Sequence, residues 1–229
     1  MKVHSMRRVA RFVSEFAVIV VGVLAALSVE SWRENQNDRG LELRYLEQIV
    51  TDSEENLRLI AEAKALEQKH MDVAESLWRV AQLNVPPSAD STRTWLERRD
   101  GAWWYSDPRL RAGTITALAQ TDDFALIRNP RVRSEILGYV SQLRADLEGF
   151  QRGTQIHEEA RMQLGIRGEV SLTPDISPGS PRAVRLYLAI VSDPEGRAAL
   201  SRLHKGYEVR IWYLDQIEAA TIALLDILS

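Results

Sequence analysis

An uninterrupted apolar stretch near the amino terminus constrains this chain more than any other feature of its sequence. Residues 12–29 read FVSEFAVIVVGVLAALSV and contain one charged residue, Glu15. Eighteen helical residues extend about 27 Å, close to the roughly 30 Å hydrocarbon core of a bilayer. Because backbone groups in lipid must pair within the segment, the stretch predicts a transmembrane helix. A cleavable signal peptide and a buried helix of a soluble protein are the alternatives.

The charges that flank this stretch predict its orientation. Four basic residues lie in the tail formed by residues 1–11, whereas acidic residues outnumber basic ones directly after residue 29. The positive-inside rule therefore places the amino terminus in the cytoplasm and residues 30–229 on the other side of the membrane. Trp32 lies where an aromatic anchor at the membrane interface is expected.

One face of the apolar helix carries Glu15, Ile19, Gly22 and Ala26. Gly22 and Ala26 form a pair of small residues four positions apart, which lets two helix backbones approach closely and predicts a homo-oligomer. Glu15 has three interpretations: contact with hydrated headgroups, a hydrogen bond across a helix interface, or a role in proton or ion conduction.

Helical periodicity dominates the rest of the chain, and no alternating run is long enough for a convincing strand. Three long helices are predicted, over residues 41–83, 129–164 and 193–228, with shorter helices at 110–120 and 182–191. Only Gly40 separates the first long helix from the apolar stretch, which leaves their continuity open. The predicted fold class is all-α: one transmembrane helix followed by an elongated antiparallel helical bundle.

The composition excludes several kinds of chemistry. The chain has no cysteine, so it forms no disulfide, thiolate metal site or cysteine nucleophile. Six of the 29 basic and four of the 32 acidic residues lie in the first 39 positions, so the remainder has a net charge of −5. A domain of that charge is a poor nucleic-acid binder.

The candidate catalytic and metal-binding motifs are incomplete. Glu67 and His70 have the Glu-x-x-His spacing of a di-iron bundle, but the chain has no second step of this kind at His157 or His204. His157 also begins a zincin-like motif, yet Arg161 stands where the second histidine belongs. No phosphate-binding loop or nucleophile elbow is present. The sequence therefore predicts no enzyme, no metal and no cofactor.

An aromatic group formed by Trp103, Trp104 and Tyr105 allows two interpretations. These rings either close the end of the bundle or form a contact with a ligand or a protein partner.

Two groups of motifs resemble an uncharacterised bacterial family of single-pass membrane proteins that hold a domain of unknown function. The first group comprises Glu15-Phe16 with VIVVGVLAAL, then Glu30-Ser31-Trp32-Arg33-Glu34 and Leu43-Arg44-Tyr45-Leu46. The second comprises residues 118–123 and Leu126-Ile127-Arg128-Asn129-Pro130, continuing to Leu137 and Tyr139. The resemblance implies a helical protein anchored in the bacterial inner membrane, and it implies no activity.

The leading functional expectation is a membrane-anchored scaffold or interaction protein whose partners are lipid, a second copy of the chain and another protein. The alternatives are a ligand-sensing bundle outside the cytoplasm, which needs a polar-lined cavity, and a subunit of a proton or ion pathway centred on Glu15.

Overall fold

The structure, a computed structural model, describes residues 3–83, 86–99, 102, 104–168 and 177–228. Side chains are described at Phe16 and from residue 20 onward, except at residues 84–85, 97–101, 103, 166–176 and 229. Within these residues all regular secondary structure is helical, which confirms the all-α prediction.

Among the described residues, six α-helices follow one another along the chain, with a 3-10 helix between the third and the fourth. Their bounds are α1 Val3–Gln82, α2 Ala89–Arg99, α3 Gly113–Gln120, a 3-10 helix Asp122–Leu126, α4 Pro130–Gly168, α5 Pro181–Val191 and α6 Pro194–Leu228. The two predicted starts with a capping residue before a proline are confirmed. Asn129 accepts a hydrogen bond from the backbone N–H of Arg131 at 2.9 Å, and Asp193 accepts one from Gly196 at 3.1 Å.

Helix α1 is continuous through Gly40, which answers the question that the sequence left open: the apolar stretch and the first long helix form one helix. A single glycine costs about 1 kcal/mol in a helix interior, which does not end a helix flanked by good helix-forming residues. At 1.5 Å per residue, its 80 residues extend about 120 Å. Helix α2 was not predicted, and α4 extends four residues beyond its predicted end.

Helix α6 lies at the centre of the bundle and packs along both α1 and α4. It is antiparallel to α1, because Lys64 pairs with Asp215 and Glu67 pairs with Arg210. It is also antiparallel to α4, where Gly149 lies against the ring of Tyr213. The core contains two clusters of buried apolar side chains, one towards each end of these helices.

Residues 102 and 104–112, which we call the strap, lie between α2 and α3; residue 102 has a 3-10 conformation, and residues 104–112 form neither helix nor strand. The described strap residues contact α1, α4 and α6 through hydrogen bonds and ring contacts. A buried segment without regular structure must find partners for its backbone groups outside a helix or sheet. Those partners define the most polar part of the core.

No helix is long and apolar enough to cross a membrane within the part of the chain that the structure describes. The predicted span at residues 12–29 includes positions 12–15 and 17–19, whose side chains lie outside the described residues. The transmembrane helix therefore stays a prediction, which this finding does not support.

We expect two glycine-to-alanine changes to have opposite effects on stability. A Cβ at Gly196 would lie 2.7 Å from Cα of Ile190, so Gly196→Ala forces α5 and α6 apart and lowers the free energy of unfolding by about 1–3 kcal/mol. A Cβ at Gly138 meets nothing within 4 Å, so Gly138→Ala raises it by about 0.5–1 kcal/mol. Urea unfolding measures both, and equal effects would contradict the packing described for α5 and α6.

Candidate functional site

A buried ion pair joins α1 to α6 near the middle of the bundle. Glu67 is 0% exposed, and Arg210 is 0% exposed. The Arg210 guanidinium donates from Nε to Oε2 of Glu67 at 3.2 Å and from Nη2 to Oε1 at 2.8 Å. A charge is rarely buried unless it is paired and hydrogen-bonded, and this two-point geometry meets that requirement.

The same pair holds the backbone of the strap. The N–H of Ser106 donates to Oε1 of Glu67 at 2.6 Å. The carbonyl of Ser106 accepts a hydrogen bond from Arg210, which also donates to the hydroxyl of Thr154 on α4. Four of the five guanidinium N–H groups are therefore engaged within the protein. This single residue connects α1, the strap and α4 to α6.

Two aromatic rings cover the guanidinium of Arg210. Its central carbon lies 4.6 Å from the ring centroid of Tyr105 on the strap and 4.0 Å from that of Phe150 on α4. Such contacts between a cation and ring faces are favourable, and more so when water is excluded. They fix the position of the guanidinium in addition to its hydrogen bonds.

A second pair, His157 on α4 and Tyr207 on α6, holds the start of the strap. The hydroxyl of Tyr207 donates to the carbonyl of Ala102 at 2.9 Å or of Trp104 at 2.5 Å. Since its one proton goes to the strap, the hydroxyl oxygen accepts from Nε2 of His157, 3.0 Å away. His157 is then a neutral ring with its proton on Nε2, and its buried Nδ1 has no hydrogen-bond partner.

Burial shifts both groups of this second pair towards their neutral forms. Loss of hydration, followed by the positive charge of Arg210, lowers the pKa of His157 from 6.5 to about 4. Loss of hydration, followed by the negative charge of Glu67, raises the pKa of Tyr207.

The described hydrogen bonds at the end of the strap are made with α1. The side-chain amide of Asn56 accepts from the N–H of Arg111 at 2.6 Å and donates to its carbonyl at 3.0 Å. Four residues earlier, Asp52 accepts from the hydroxyl of Thr114 at 2.8 Å. Polar side chains of α1 therefore follow the strap to the start of α3.

The structure separates the residues of the predicted aromatic group. Tyr105 is partly buried and lies beside the ion pair rather than at the end of the bundle. The Trp104 side chain is 65% exposed, although its carbonyl is bound by Tyr207. Trp103 lies outside the described residues, so the choice between closing the bundle and contacting a partner stays open at that position.

In the part of the chain that the structure describes, the predicted packing face of the apolar helix is exposed at Gly22 and Ala26. A Cβ added at Gly22 would meet nothing within 4 Å. Trp32 is 65% exposed, as an interface anchor would be, while the side chains of Glu15 and Ile19 lie outside the described residues.

Sequence reasoning did not identify Arg210, Tyr207 or their partners as a site, although a signal was present. Buried or partly buried positions of α1 recur at alternating spacings of three and four: 49, 53, 56, 60, 63, 67, 70, 74, 77 and 81. A glutamate within this stripe, and an arginine within the apolar face of α6, together indicate a buried pair. The Glu67–His70 step instead suggested metal chemistry.

The site has little capacity left for a ligand. A cleft of about 260 Å³ lies between the strap and α4, with Asp107, Pro108, Leu147 and Gln151 among its lining residues. Arg210 also borders the cleft, but its guanidinium is buried and mostly engaged. Among the described residues, no group of three or more metal-ligating side chains could hold an ion. The geometry is that of an anchor for the strap.

Comparison with known protein families, with curated proteins and with solved structures finds no match to this chain. The resemblance to a bacterial membrane family therefore stays a prediction.

Breaking the ion pair is expected to be costly. Glu67→Gln leaves the charge of Arg210 buried without a counter-charge, which lowers the free energy of unfolding by about 3–5 kcal/mol. Glu75→Gln is the matched control, because Glu75 pairs with Arg79 on an exposed face of the same helix and its loss changes little.

The double variant Glu67→Leu/Arg210→Met tests whether the ion pair stabilises the strap. Two apolar side chains often replace a buried ion pair without loss of stability. Here they leave the N–H and carbonyl of Ser106 without partners, so we expect the double variant to remain clearly less stable than the wild type. Wild-type stability in urea unfolding would mean that the strap does not depend on the pair.

Proposed function

We propose that this chain is a membrane-anchored helical interaction protein, with residues 12–29 embedded in the bacterial inner membrane and the bundle held outside the cytoplasm. The bundle serves as a scaffold for a protein partner, and the chain self-associates through its apolar helix. No enzymatic activity is part of this proposal.

The exposed apolar surface of α1 carries the proposal. Every described side chain from residue 20 to residue 36, together with Phe16, is exposed on this helix. Eight of them are large and apolar, with exposures from 37% to 65%: Phe16, Val20, Val21, Val23, Leu24, Leu27, Val29 and Trp32. A helix that is apolar all round is normally buried in protein or lipid, and no other element of the described chain covers this one.

The rest of α1 supports a role as a spacer. Residues 33–40 read RENQNDRG, a polar segment that follows the apolar surface and in which the described contacts with the bundle begin. The first described contact with the bundle is at Asn35, whose carbonyl accepts from Arg128 at 3.2 Å. With residue 29 at the membrane surface, α1 would carry the bundle up to about 80 Å outward at 1.5 Å per residue.

Ligand sensing ranks second, because the cleft beside the strap is small and its arginine is already engaged. A proton or ion pathway through Glu15 needs several spans around water, and it stays a prediction without a supporting observation.

Membrane attachment has a direct test. The wild-type protein is expected to stay in the membrane pellet after alkaline carbonate extraction. The double variant Val21→Arg/Leu24→Arg places two charges in the apolar segment, and each raises the free energy of membrane insertion by about 2.5–3.5 kcal/mol. We therefore expect this variant to move to the supernatant. Leu43→Arg is the control, since Leu43 is also exposed but lies outside the segment. Extraction of the wild-type protein would reject the anchor, and a carboxyl-terminal reporter active in the cytoplasm would reject the orientation.

Self-association is tested at Gly22. Gly22→Leu keeps the helix apolar but prevents close approach of two backbones, so we expect about a tenfold weaker association of labelled copies in bilayers. The control Val21→Leu adds bulk one position away, on another face. If both variants self-associate as strongly as the wild type, Gly22 and Ala26 do not form the interface.

A further inference from the structure

The ring of His157 on α4 packs against the first residues of the strap. Its ring meets that of Tyr105 edge to face, with 5.1 Å between ring centroids, and that of Tyr207 in the same manner at 4.9 Å. Tyr207 in turn holds the carbonyls of Ala102 and Trp104. The first residues of the strap are therefore held by two hydrogen-bonded rings, that of Tyr207 on α6 and that of His157 on α4.

The neutral ring fits this site, and a protonated ring does not. An imidazolium carries two N–H donors. The acceptors that face this ring are the hydroxyl oxygen of Tyr207, which lies at Nε2, and the carbonyl of Ala102, and neither is a hydrogen-bond partner of Nδ1. A proton added at Nδ1 would be buried without a partner, because this atom has none in the described structure. The cost of such a group falls only if water reaches it.

The charges around His157 add to this cost. Arg210 on α6 and Arg161 on α4 oppose a second positive charge, while Glu158 on α4 favours it. Glu67 on α1 is paired with Arg210, and the neighbouring Tyr105 on the strap carries no charge at neutral pH. His70 on α1 stacks on Tyr207 with 6.4 Å between ring centroids.

The strap is the wall around His157 that can move. On the opposite side of the histidine, a Cβ built at Gly206 would lie only 3.0 Å from Cβ of His157, which shows how tightly α4 and α6 pack there. Separating these helices would disturb the most extensive interface of the bundle. Residues 104–112 of the strap form no helix; the start of the strap is held by a few hydrogen bonds, by the buried side chain of Ala102 and by the ring of Tyr105.

We propose that the described residues in the first part of the strap, Ala102 and residues 104–107, form a pH-sensitive segment: protonation of His157 breaks its fit with Tyr207 and Tyr105, releases these residues, and uncovers Arg210 and Glu67 to solvent. The bundle formed by α1, α4 and α6 stays folded while the segment opens.

The direction and size of the effect follow from proton linkage. The pKa of His157 is about 4 with the strap closed and near 6.5 once water reaches the ring. Between these values the open form binds one proton more than the closed form, so opening becomes easier as the pH falls. From about pH 7 to about pH 5, the ratio of open to closed strap rises about 20-fold.

Amide hydrogen exchange of the full-length protein in detergent measures this opening. After correction for the intrinsic pH dependence of exchange, the amide of Ser106, which donates to Glu67 in the closed form, is expected to lose protection about 20-fold between about pH 7 and about pH 5. Core amides of α4 and α6 keep theirs. Strap exchange that does not change with pH would overturn the proposal. An equal loss of protection throughout the bundle would also overturn it, because this result indicates global unfolding.

Two variants assign the effect to one histidine. His157→Gln can still donate to Tyr207 but does not titrate, so its strap exchange should lose the pH dependence. His204→Gln, a change at a partly exposed histidine of α6, should keep the wild-type response. Retention of the response in His157→Gln would overturn the proposal.

If His157→Gln does not fold, nuclear magnetic resonance of the wild-type protein gives a second test. The proposal expects the strap amides and the His157 ring to titrate with the same midpoint, and different midpoints would overturn the proposal.

Discussion

The structure depends on how an irregular segment of backbone is accommodated inside a helical bundle. Helices satisfy their own backbone groups, but the strap between α2 and α3 cannot, and each unpaired buried group would cost about 1–3 kcal/mol. Glu67 and Arg210 supply both a carboxylate acceptor and a guanidinium donor at Ser106. The need to pair the backbone groups of Ser106 therefore explains why these two charges are buried. An apolar pair would fill the same space and leave the strap unsatisfied.

The close packing of α4 on α6 determines where these groups lie. A Cβ at Gly153 would come within 2.7 Å of Cγ of Arg210, so glycine there lets the arginine pass α4 and reach Thr154. Gly206 does the same for His157 from the side of α6. Close approach removes water from both polar pairs. It strengthens the pairing of Glu67 with Arg210 and penalises any charge on His157.

Local signals predicted the elements well, and non-local ones were missed. Proline and capping residues fixed the starts of α4 and α6 because they act within one turn. Gly40 was a weak signal, and it does not end α1. The strap was not predicted, because its conformation depends on Glu67 and Arg210, which are 143 residues apart in the sequence. Helical periodicity shows that both positions are buried, but it does not show that they meet.

The continuity of α1 links the proposed anchor to the anchored strap. Every described side chain from residue 20 to residue 36 is exposed, whereas the face of Glu67 packs against α6 and the strap. The proposed surface for self-association at Gly22 and Ala26 and the surface that holds the strap are therefore separate parts of one helix. Contacts made at the first surface would leave the second in place, so self-association would not require the strap to open.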